Sequence, residues 1–175
     1  AVIHEIVIVT REDLMNQISR LCQQRGFDKV SLIVSGGETR VHSVMKGMNA
    51  VSKRMDLVAI HDGARPFLQE EDLNAIKQAM ETEDAACLMV PCKDTIKLTS
   101  NGYIEKTLPR NLLMAAQTPQ AFKTGLLMEA MRKARADGFE ATDDCSIVEC
   151  YSDTHIKIVQ GSYANKKITT IEDIQ

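Results

Sequence analysis

The sequence predicts an α/β fold: a doubly wound, mainly parallel sheet with helices on both faces and a projecting β-arm. Three observations carry this expectation. Short β-branched runs alternate with segments of helical spacing through the first half of the chain. Strands joined by helical crossovers run parallel, and the crossovers cover both faces of the sheet. From 91 to 116 the alternation breaks, and two short β-like runs flank Ser100-Asn101-Gly102, whose Asn-Gly pair signals a hairpin and not a crossover.

The elements follow in order. Glu5-Ile6-Val7-Ile8-Val9 reads as a strand, and Thr10 as the cap of a helix, with Asp13 giving a weak capping box. That helix has Leu14, Ile18, Leu21 and Cys22 on its apolar face and Gly26 as its stop. A second strand spans Val30 to Val34. The loop Ser35-Gly36-Gly37-Glu38-Thr39-Arg40 then leads into a helix carrying Val44, Met48 and Val51. Leu57-Val58-Ala59-Ile60 reads as a buried strand, turned by Gly63 and Pro66. A helix with Leu73, Ile76 and Met80 precedes the strand Ala85 to Val90. In the arm, Thr95-Ile96-Lys97-Leu98 pairs with Tyr103-Ile104-Glu105-Lys106. Gln117-Thr118-Pro119-Gln120 is unusually polar and has the composition of a plain turn. Helical spacing returns at Leu127, Met131 and Ala134, closed by Gly138, and Thr142-Asp143-Asp144 reads as a helix start. A strand from Ile156 to Val159 and an extended segment from Lys167 to Thr170 complete the pattern.

The 175 residues, 44% hydrophobic and 26% charged, fit one folded domain over 1–175, with 91–116 as the arm inserted in it. With 21 basic and 24 acidic residues the net charge is −3, so no global field recruits nucleic acid, and an anionic ligand must be held by local cations and amides. No apolar run is long enough to span a bilayer and no signal-like segment opens the sequence, which makes no membrane partner and a cytoplasmic location the expectations. Cys87/Cys92 and Cys145/Cys150 share one spacing. Residues five apart diverge on a strand or a helix, so neither pair suits a zinc site, and the five cysteines read as reduced core thiols.

The chemistry gathers at His61-Asp62-Gly63-Ala64-Arg65-Pro66. A carboxylate where a parallel strand ends lies at the edge where open α/β sheets bind ligands, and Arg65 adds a fixed cation suited to phosphate. Asp62 suits a hard metal ion, although a helix cap explains an isolated Asp as well. Gly36-Gly37, with Ser43 following, allows a ligand close to the backbone at a helix start, or is an ordinary tight turn. Lys166-Lys167 is a phosphate clamp or a solvated pair. His4, His42 and His155 form no catalytic pairing. A Gly-x-Ser-x-Gly elbow and a dinucleotide fingerprint are both missing from the sequence.

In combination these motifs are more specific than any alone. Gly36-Gly37-x-x-Arg40-x-x-Ser43-Val44-x-x-Gly47, the His61-to-Pro66 run and Lys93-Asp94-Thr95-Ile96-Lys97 are followed by Arg110-x-x-Leu113-x-x-x-Gln117-Thr118-Pro119-Gln120-x-Phe122. Thr142-Asp143-Asp144-x-Ser146 and Gly161-x-x-x-Asn165-x-Lys167-Ile168-Thr169-Thr170 complete the series. The ordered set resembles the methylerythritol-phosphate cytidylyltransferase family, across essentially the whole chain. The resemblance implies a Rossmann-like fold and transfer of a cytidylyl group from CTP to 2-C-methyl-D-erythritol 4-phosphate, a sugar-alcohol phosphate, with Mg²⁺ and release of pyrophosphate. It implies that Gly36, Gly37 and Ser43 face cytosine and ribose, with Ala64 beside the nucleotide, and that Asp62 lies at the metal-phosphate centre. It makes Lys167 the cation at the reacting phosphates. Thr95 and Arg110 on the arm, and Thr118, would be substrate contacts, and the arm would reach across a homodimer. Asp62, Lys167 and Arg110 are the implied catalytic set. Against the family pattern the domain is expected to be N-terminally incomplete, because a glycine-rich phosphate loop would precede Ala1. The rival readings are a ribitol-5-phosphate cytidylyltransferase and a non-catalytic nucleotide-binding or dimerisation module.

Overall fold

The computed structural model describes residues 2–174. The chain folds as β1 (Ile6–Thr10), α1 (Met15–Arg25), β2 (Val30–Ser35), α2 (Arg40–Ala50), β3 (Leu57–Ile60), α3 (Glu70–Ala79), β4 (Ala85–Pro91), β5 (Lys97–Ser100), β6 (Tyr103–Thr107), β7 (Met114–Lys123), α4 (Thr124–Ala136), α5 (Asp144–Tyr151) and β8 (Lys157–Gln160). The main sheet has the order β3-β7-β4-β8, and β1 and β2 form a parallel pair. Strands β3 and β4 both run antiparallel to β7, and β8 is parallel to β4. Within this sheet β7 alone therefore points the other way, and the mainly parallel α/β architecture holds.

Strand β4 shows how the sequence builds two covered faces. Ala85 and Cys87 point into a cluster with Phe122, Leu127, Met131, Ile147 and Val148, which belong to β7, α4 and α5. Their neighbours Ala86 and Leu88 point the opposite way, against Ile76, Met80 and Val159. The two-residue period of a strand thus meets helices on both sides. Phe122, Leu127, Met131 and Ile147 are fully buried, each contributing about 1.5–3 kcal/mol by leaving water.

Four local expectations change. Thr10 is the last residue of β1, and Arg11 stands before a short 3-10 turn (Glu12–Leu14) that leads into α1. The Gly26 stop does occur, with φ +63°. The polar run Gln117–Gln120 lies inside β7, and the register shifts between the pairs Cys87–Gln120 and Met89–Ala116, so the run bulges opposite Leu88. A bulge tolerates a proline, which has no N–H to give to a ladder, and it redirects the side chains beside it. Lys167–Thr170 forms no strand; its backbone instead closes onto Asp173. Finally, only Cys87 and Cys145 are core thiols: Cys22 and Cys92 are half-buried and Cys150 is exposed on the outer side of α5. Cys87 and Cys145 come from different spaced pairs and sit side by side, and shared hydrogen bonding with Cys87, together with burial, pushes the Cys145 thiol up.

The hairpin prediction is met by β5 and β6, with Asn101 at φ 51° and Gly102 at φ 83° in the turn. Both strands are exposed along their whole length.

Candidate active site

Strand β3 delivers His61 and Asp62 to the end of the sheet, where the Arg65 N–H donates to the Asp62 carbonyl at 2.9 Å and closes a turn. The neighbouring bulge in β7 brings Thr118 to the same place, and its Oγ1 accepts the Asp62 N–H at 3.0 Å. Lys167 arrives from the far end of the chain. The Ile168 N–H donates to the Ala64 carbonyl at 2.8 Å, and that bond sets Lys167 Nζ 3.1 Å from Asp62 Oδ2. Arg65 Nε lies 3.6 Å from the same oxygen. Asp62 Oδ1 has no hydrogen-bond partner among the described residues.

Arg65 is held from behind. Its Nη1 donates to the Asn165 carbonyl at 2.8 Å and its Nη2 to the Ala116 carbonyl at 3.4 Å, while the buried Nε makes no hydrogen bond. Asn165 is fully buried, and its Nδ2 donates to the Thr118 carbonyl at 2.8 Å. Gln117 Nε2 donates to the Ser162 carbonyl at 3.0 Å, tying the loop that carries Lys167 to β7.

The Gly36-Gly37 turn is the second part of the site. The Gly36 N–H donates to the Thr10 carbonyl at 2.7 Å, and the Gly37 N–H to Ser43 Oγ at 3.0 Å. Thr39 caps α2 by accepting the His42 N–H, and Lys46 Nζ donates to the Gly36 carbonyl at 2.8 Å. Ser43 therefore shapes this turn from within, with its hydroxyl donating to the Thr39 carbonyl at 3.0 Å.

Arg40, at the start of α2, reaches Asp144 at the start of α5. Burial opposes the charge on Arg40, but the bonds to Asp144 prevail and raise the guanidinium above its ordinary value. Burial pushes the Asp144 carboxyl up, opposed by Arg40. Gln120 completes the assembly: its Oε1 accepts the N–H groups of Asp144 and Cys145, and its Nε2 donates to Asp143 Oδ2. Asp143 is the helix cap that the sequence predicts, accepting the Ser146 N–H at 2.9 Å.

The structure thus brings together Asp62, Ala64, Thr118 and Lys167, while Gly36, Gly37 and Ser43 form the turn at the start of α2, bonded to Thr10, Thr39 and Lys46. Thr95 and Arg110 stand apart, at the base of the arm, where Arg110 Nη1 donates to the Lys93 carbonyl at 2.9 Å. The sequence assigned no role to Asn165, Gln120 or Arg40. Their signal was position within the ordered motif series, but their partners lie far off in sequence.

An open, mainly parallel α/β sheet with a carboxylate, a lysine and an arginine converging at a strand end, beside a Gly-Gly turn opening a helix, defines a nucleotide-handling phosphoryl-transfer protein. Comparison with known proteins gives the particular family. A family model described as 2-C-methyl-D-erythritol 4-phosphate cytidylyltransferase matches residues 1–175, and the chain belongs to that family. The protein of that name from Bacillus pumilus is 40% identical over 169 residues, covering 97% of this chain and 73% of its own length. The one from Pelotomaculum thermopropionicum is 46% identical over 153 residues, covering 87% of this chain and 64% of its own. The chain therefore spans about two-thirds to three-quarters of these relatives. Among solved structures, 4-diphosphocytidyl-2C-methyl-D-erythritol synthase from Anaerococcus prevotii superposes with a TM-score of 0.89 at 34% identity, covering 98% of this chain and 78% of that one. The methylerythritol-phosphate cytidylyltransferase of Thermus thermophilus gives 0.74 at 34% identity, covering 82% and 69%. The family's enzymes are nucleotidyltransferases of isoprenoid biosynthesis, and the family's reaction, cytidylyl transfer from CTP to 2-C-methyl-D-erythritol 4-phosphate, is this chain's.

Proposed function

We propose that the cluster around Asp62 is the centre at which the cytidylyl group moves, and that it works with Mg²⁺ in a homodimer. The observation that carries this is the approach of Lys167 Nζ to 3.1 Å from Asp62 Oδ2, beside the backbone bond from Ile168 to Ala64 that brings the two segments together. In the reaction a phosphate oxygen of the sugar-alcohol phosphate attacks the α-phosphorus of CTP in line, and pyrophosphate leaves. Two anions must meet, so positioning and charge neutralisation supply the catalysis. Lys167 neutralises the reacting phosphates, and Gly36, Gly37 and Ser43 line the nucleotide side, with Ala64 next to them. Asp62 fits Mg²⁺: this ion keeps most of its waters and takes one or two carboxylates plus substrate phosphates, and Oδ1 is open. When bound there it supplies Lewis-acid stabilisation of the phosphoryl oxygens.

Thr95 and Arg110 lie at the base of an exposed arm whose apolar side chains favour a second copy of the chain as partner; from there they serve the sugar-alcohol phosphate. Thr118 faces the same centre. A cytoplasmic setting is supported by five free cysteines, since a reducing compartment keeps thiols unpaired. No helix of the described residues is long and apolar enough to cross a membrane.

Pyrophosphate release with CTP and Mg²⁺, offering methylerythritol phosphate and ribitol phosphate separately, tests the reading. Release with the first alone, abolished by chelation and by Asp62→Asn, is the expected result. Unchanged release in Asp62→Asn removes this cluster from the centre.

A further inference from the structure

His61 stands next to Asp62 at the end of β3, and the roles above leave it without one. Both of its ring nitrogens are engaged. Nε2 lies 3.0 Å from the Arg65 carbonyl oxygen, and Nδ1 lies 3.1 Å from Thr118 Oγ1. A carbonyl oxygen only accepts, so in the neutral ring Nε2 carries the proton and Nδ1 is the acceptor. The Thr118 hydroxyl must then donate to Nδ1, while a lone pair on the same oxygen takes the Asp62 N–H at 3.0 Å. One directed series results: Asp62 N–H to Thr118 Oγ1, Thr118 O–H to His61 Nδ1, and His61 Nε2–H to the Arg65 carbonyl. Groups linked in this way polarise and orient one another.

The residues on either side of His61 in the series are anchored. The Thr118 carbonyl accepts from the buried Asn165, and the Arg65 guanidinium is held by the carbonyls of Asn165 and Ala116. The middle is different, because His61 is exposed and fills no cavity in the core. An exposed side chain with both nitrogens committed does little for packing. What it fixes is the hydroxyl of Thr118, and through it the backbone of Asp62.

We propose that His61, acting through the Thr118 hydroxyl, is a positioning residue that sets where the Asp62 carboxylate stands relative to Lys167. The proposal rests on Asp62 being the reaction centre. It also recasts Thr118, whose hydroxyl proton and one lone pair are spent on His61 and Asp62 and not on substrate.

The test uses amide chemistry that copies one ring nitrogen at a time. In His61→Asn the side-chain oxygen stands near the place of Nδ1 and accepts from Thr118. In His61→Gln the amide nitrogen stands near the place of Nε2 and donates to the Arg65 carbonyl. Thr118→Val removes the hydroxyl at nearly constant shape. We expect His61→Ala and Thr118→Val each to lower kcat about five- to tenfold, the loss of one or two hydrogen bonds, with KM for CTP within about twofold of wild type. The double variant is to be no worse than the poorer single variant, because both remove one series. His61→Asn is to restore most of the loss and His61→Gln little of it.

A readout without turnover accompanies these rates. Hydrogen exchange of the Asp62 amide in the substrate-free protein is to quicken in His61→Ala and Thr118→Val and to return toward wild type in His61→Asn. Unchanged exchange in His61→Ala, losses that multiply in the double variant, or equal rescue by Gln and Asn would each overturn the proposal. Asp62→Asn separates it from the reading beneath it. An inactive Asp62→Asn beside an unimpaired His61→Ala removes the relay alone, whereas an active Asp62→Asn removes both.

Discussion

Arg40 grips both carboxylate oxygens of Asp144, Nη1 to Oδ1 at 2.8 Å and Nη2 to Oδ2 at 2.6 Å, and the Asp144 side chain is completely buried. The two residues are 104 positions apart, and their contact joins the first turn of α2 to the first turn of α5. A fork-to-fork pair of this kind fixes direction as well as distance. It thereby sets the Gly36–Ser43 turn against the assembly of Gln120 and Asp143.

Removing one partner leaves the other charge without compensation. Asp144→Asn is expected to cost about 3 kcal/mol, the lower end for a buried pair because Arg40 is 30% exposed. Urea unfolding checks this as a lower midpoint at an unchanged slope. The paired change Arg40→Met with Asp144→Leu is to recover most of the stability and none of the affinity for CTP, since it restores burial without the fork. Full CTP affinity in the paired variant would show that the pair has no part in shaping the nucleotide turn.

The close approach at Gly37 makes a second prediction. A Cβ there would collide with the His42 Cβ and stand 3.1 and 3.3 Å from the backbone of the first turn of α2, which cannot yield cheaply. Gly37→Ala is to cost about 1–3 kcal/mol, typical of overpacking, and to raise KM for CTP as the bond from Gly37 N–H to Ser43 Oγ opens. Gly63 has nothing within 4 Å of the same added atom and is the control, with Gly63→Ala changing stability by no more than about 0.5 kcal/mol. Thermal unfolding of both variants decides whether space at Gly37 is the cause.

The difference between these glycines bears on what the sequence reveals. The α/β alternation was legible because apolar runs such as the one that forms β4 alternate with segments of helical spacing such as α4. Strand β7 was not, because Gln117-Thr118-Pro119-Gln120 has the composition of a turn; it stays in the strand because Gln120 pairs with Ile60 on one side and Cys87 on the other, with Ala116 paired to Met89 beyond the bulge. Asp62 was legible as a carboxylate at a strand end. Its meeting with Lys167 depended on a backbone bond across the fold, which local sequence does not encode. The Arg40–Asp144 pair was hidden for the same reason: each residue alone looks like a helix-end charge. Motif order supplied what periodicity could not.

Lys167 faces Asp62 with its side chain 46% exposed, so it is placed to meet a ligand from solvent and is not buried for the fold's sake. Lys167→Ala is expected to lower kcat by about a hundredfold or more, the scale of losing a charge-stabilising donor, and to change KM for CTP much less. Steady-state rates across CTP concentrations separate the two effects. Near-normal turnover would strike Lys167 from the catalytic set.

The arm offers a test of assembly. Tyr103 is 78% exposed and Ile104 65% on the hairpin, and Leu112 is 74% exposed just after it, a concentration of apolar surface on the arm. On the proposed homodimer, Ile104→Glu is to convert a dimer into a monomer in light scattering, with the fold intact by circular dichroism. If Thr95 and Arg110 serve the neighbouring subunit as proposed, activity is to fall with it. A variant that stays dimeric places the interface elsewhere.

The last prediction concerns acid. Asp173 Oδ2 accepts the N–H groups of Thr169 and Thr170 at 2.7 and 2.9 Å and both threonine hydroxyls at 3.0 and 3.3 Å. The bonds from the Thr169 and Thr170 amides, with the hydroxyls adding to them, hold its carboxyl down at about 2, against an ordinary value of 3.8. A carboxylate depressed in the folded state stabilises that state above its ordinary range, and the contribution is lost as pH falls from about 4 toward about 2. The affected segment follows Lys167 closely and adjoins Ile168, whose N–H donates to the Ala64 carbonyl. Titration followed by the Thr169 and Thr170 amide shifts is to give a midpoint near 2, and Asp173→Asn is to abolish the transition while leaving weaker bonds to the same amides. A midpoint at the ordinary carboxylate value would mean that this turn does not hold in solution, and that Lys167 is anchored by the Ile168 bond alone.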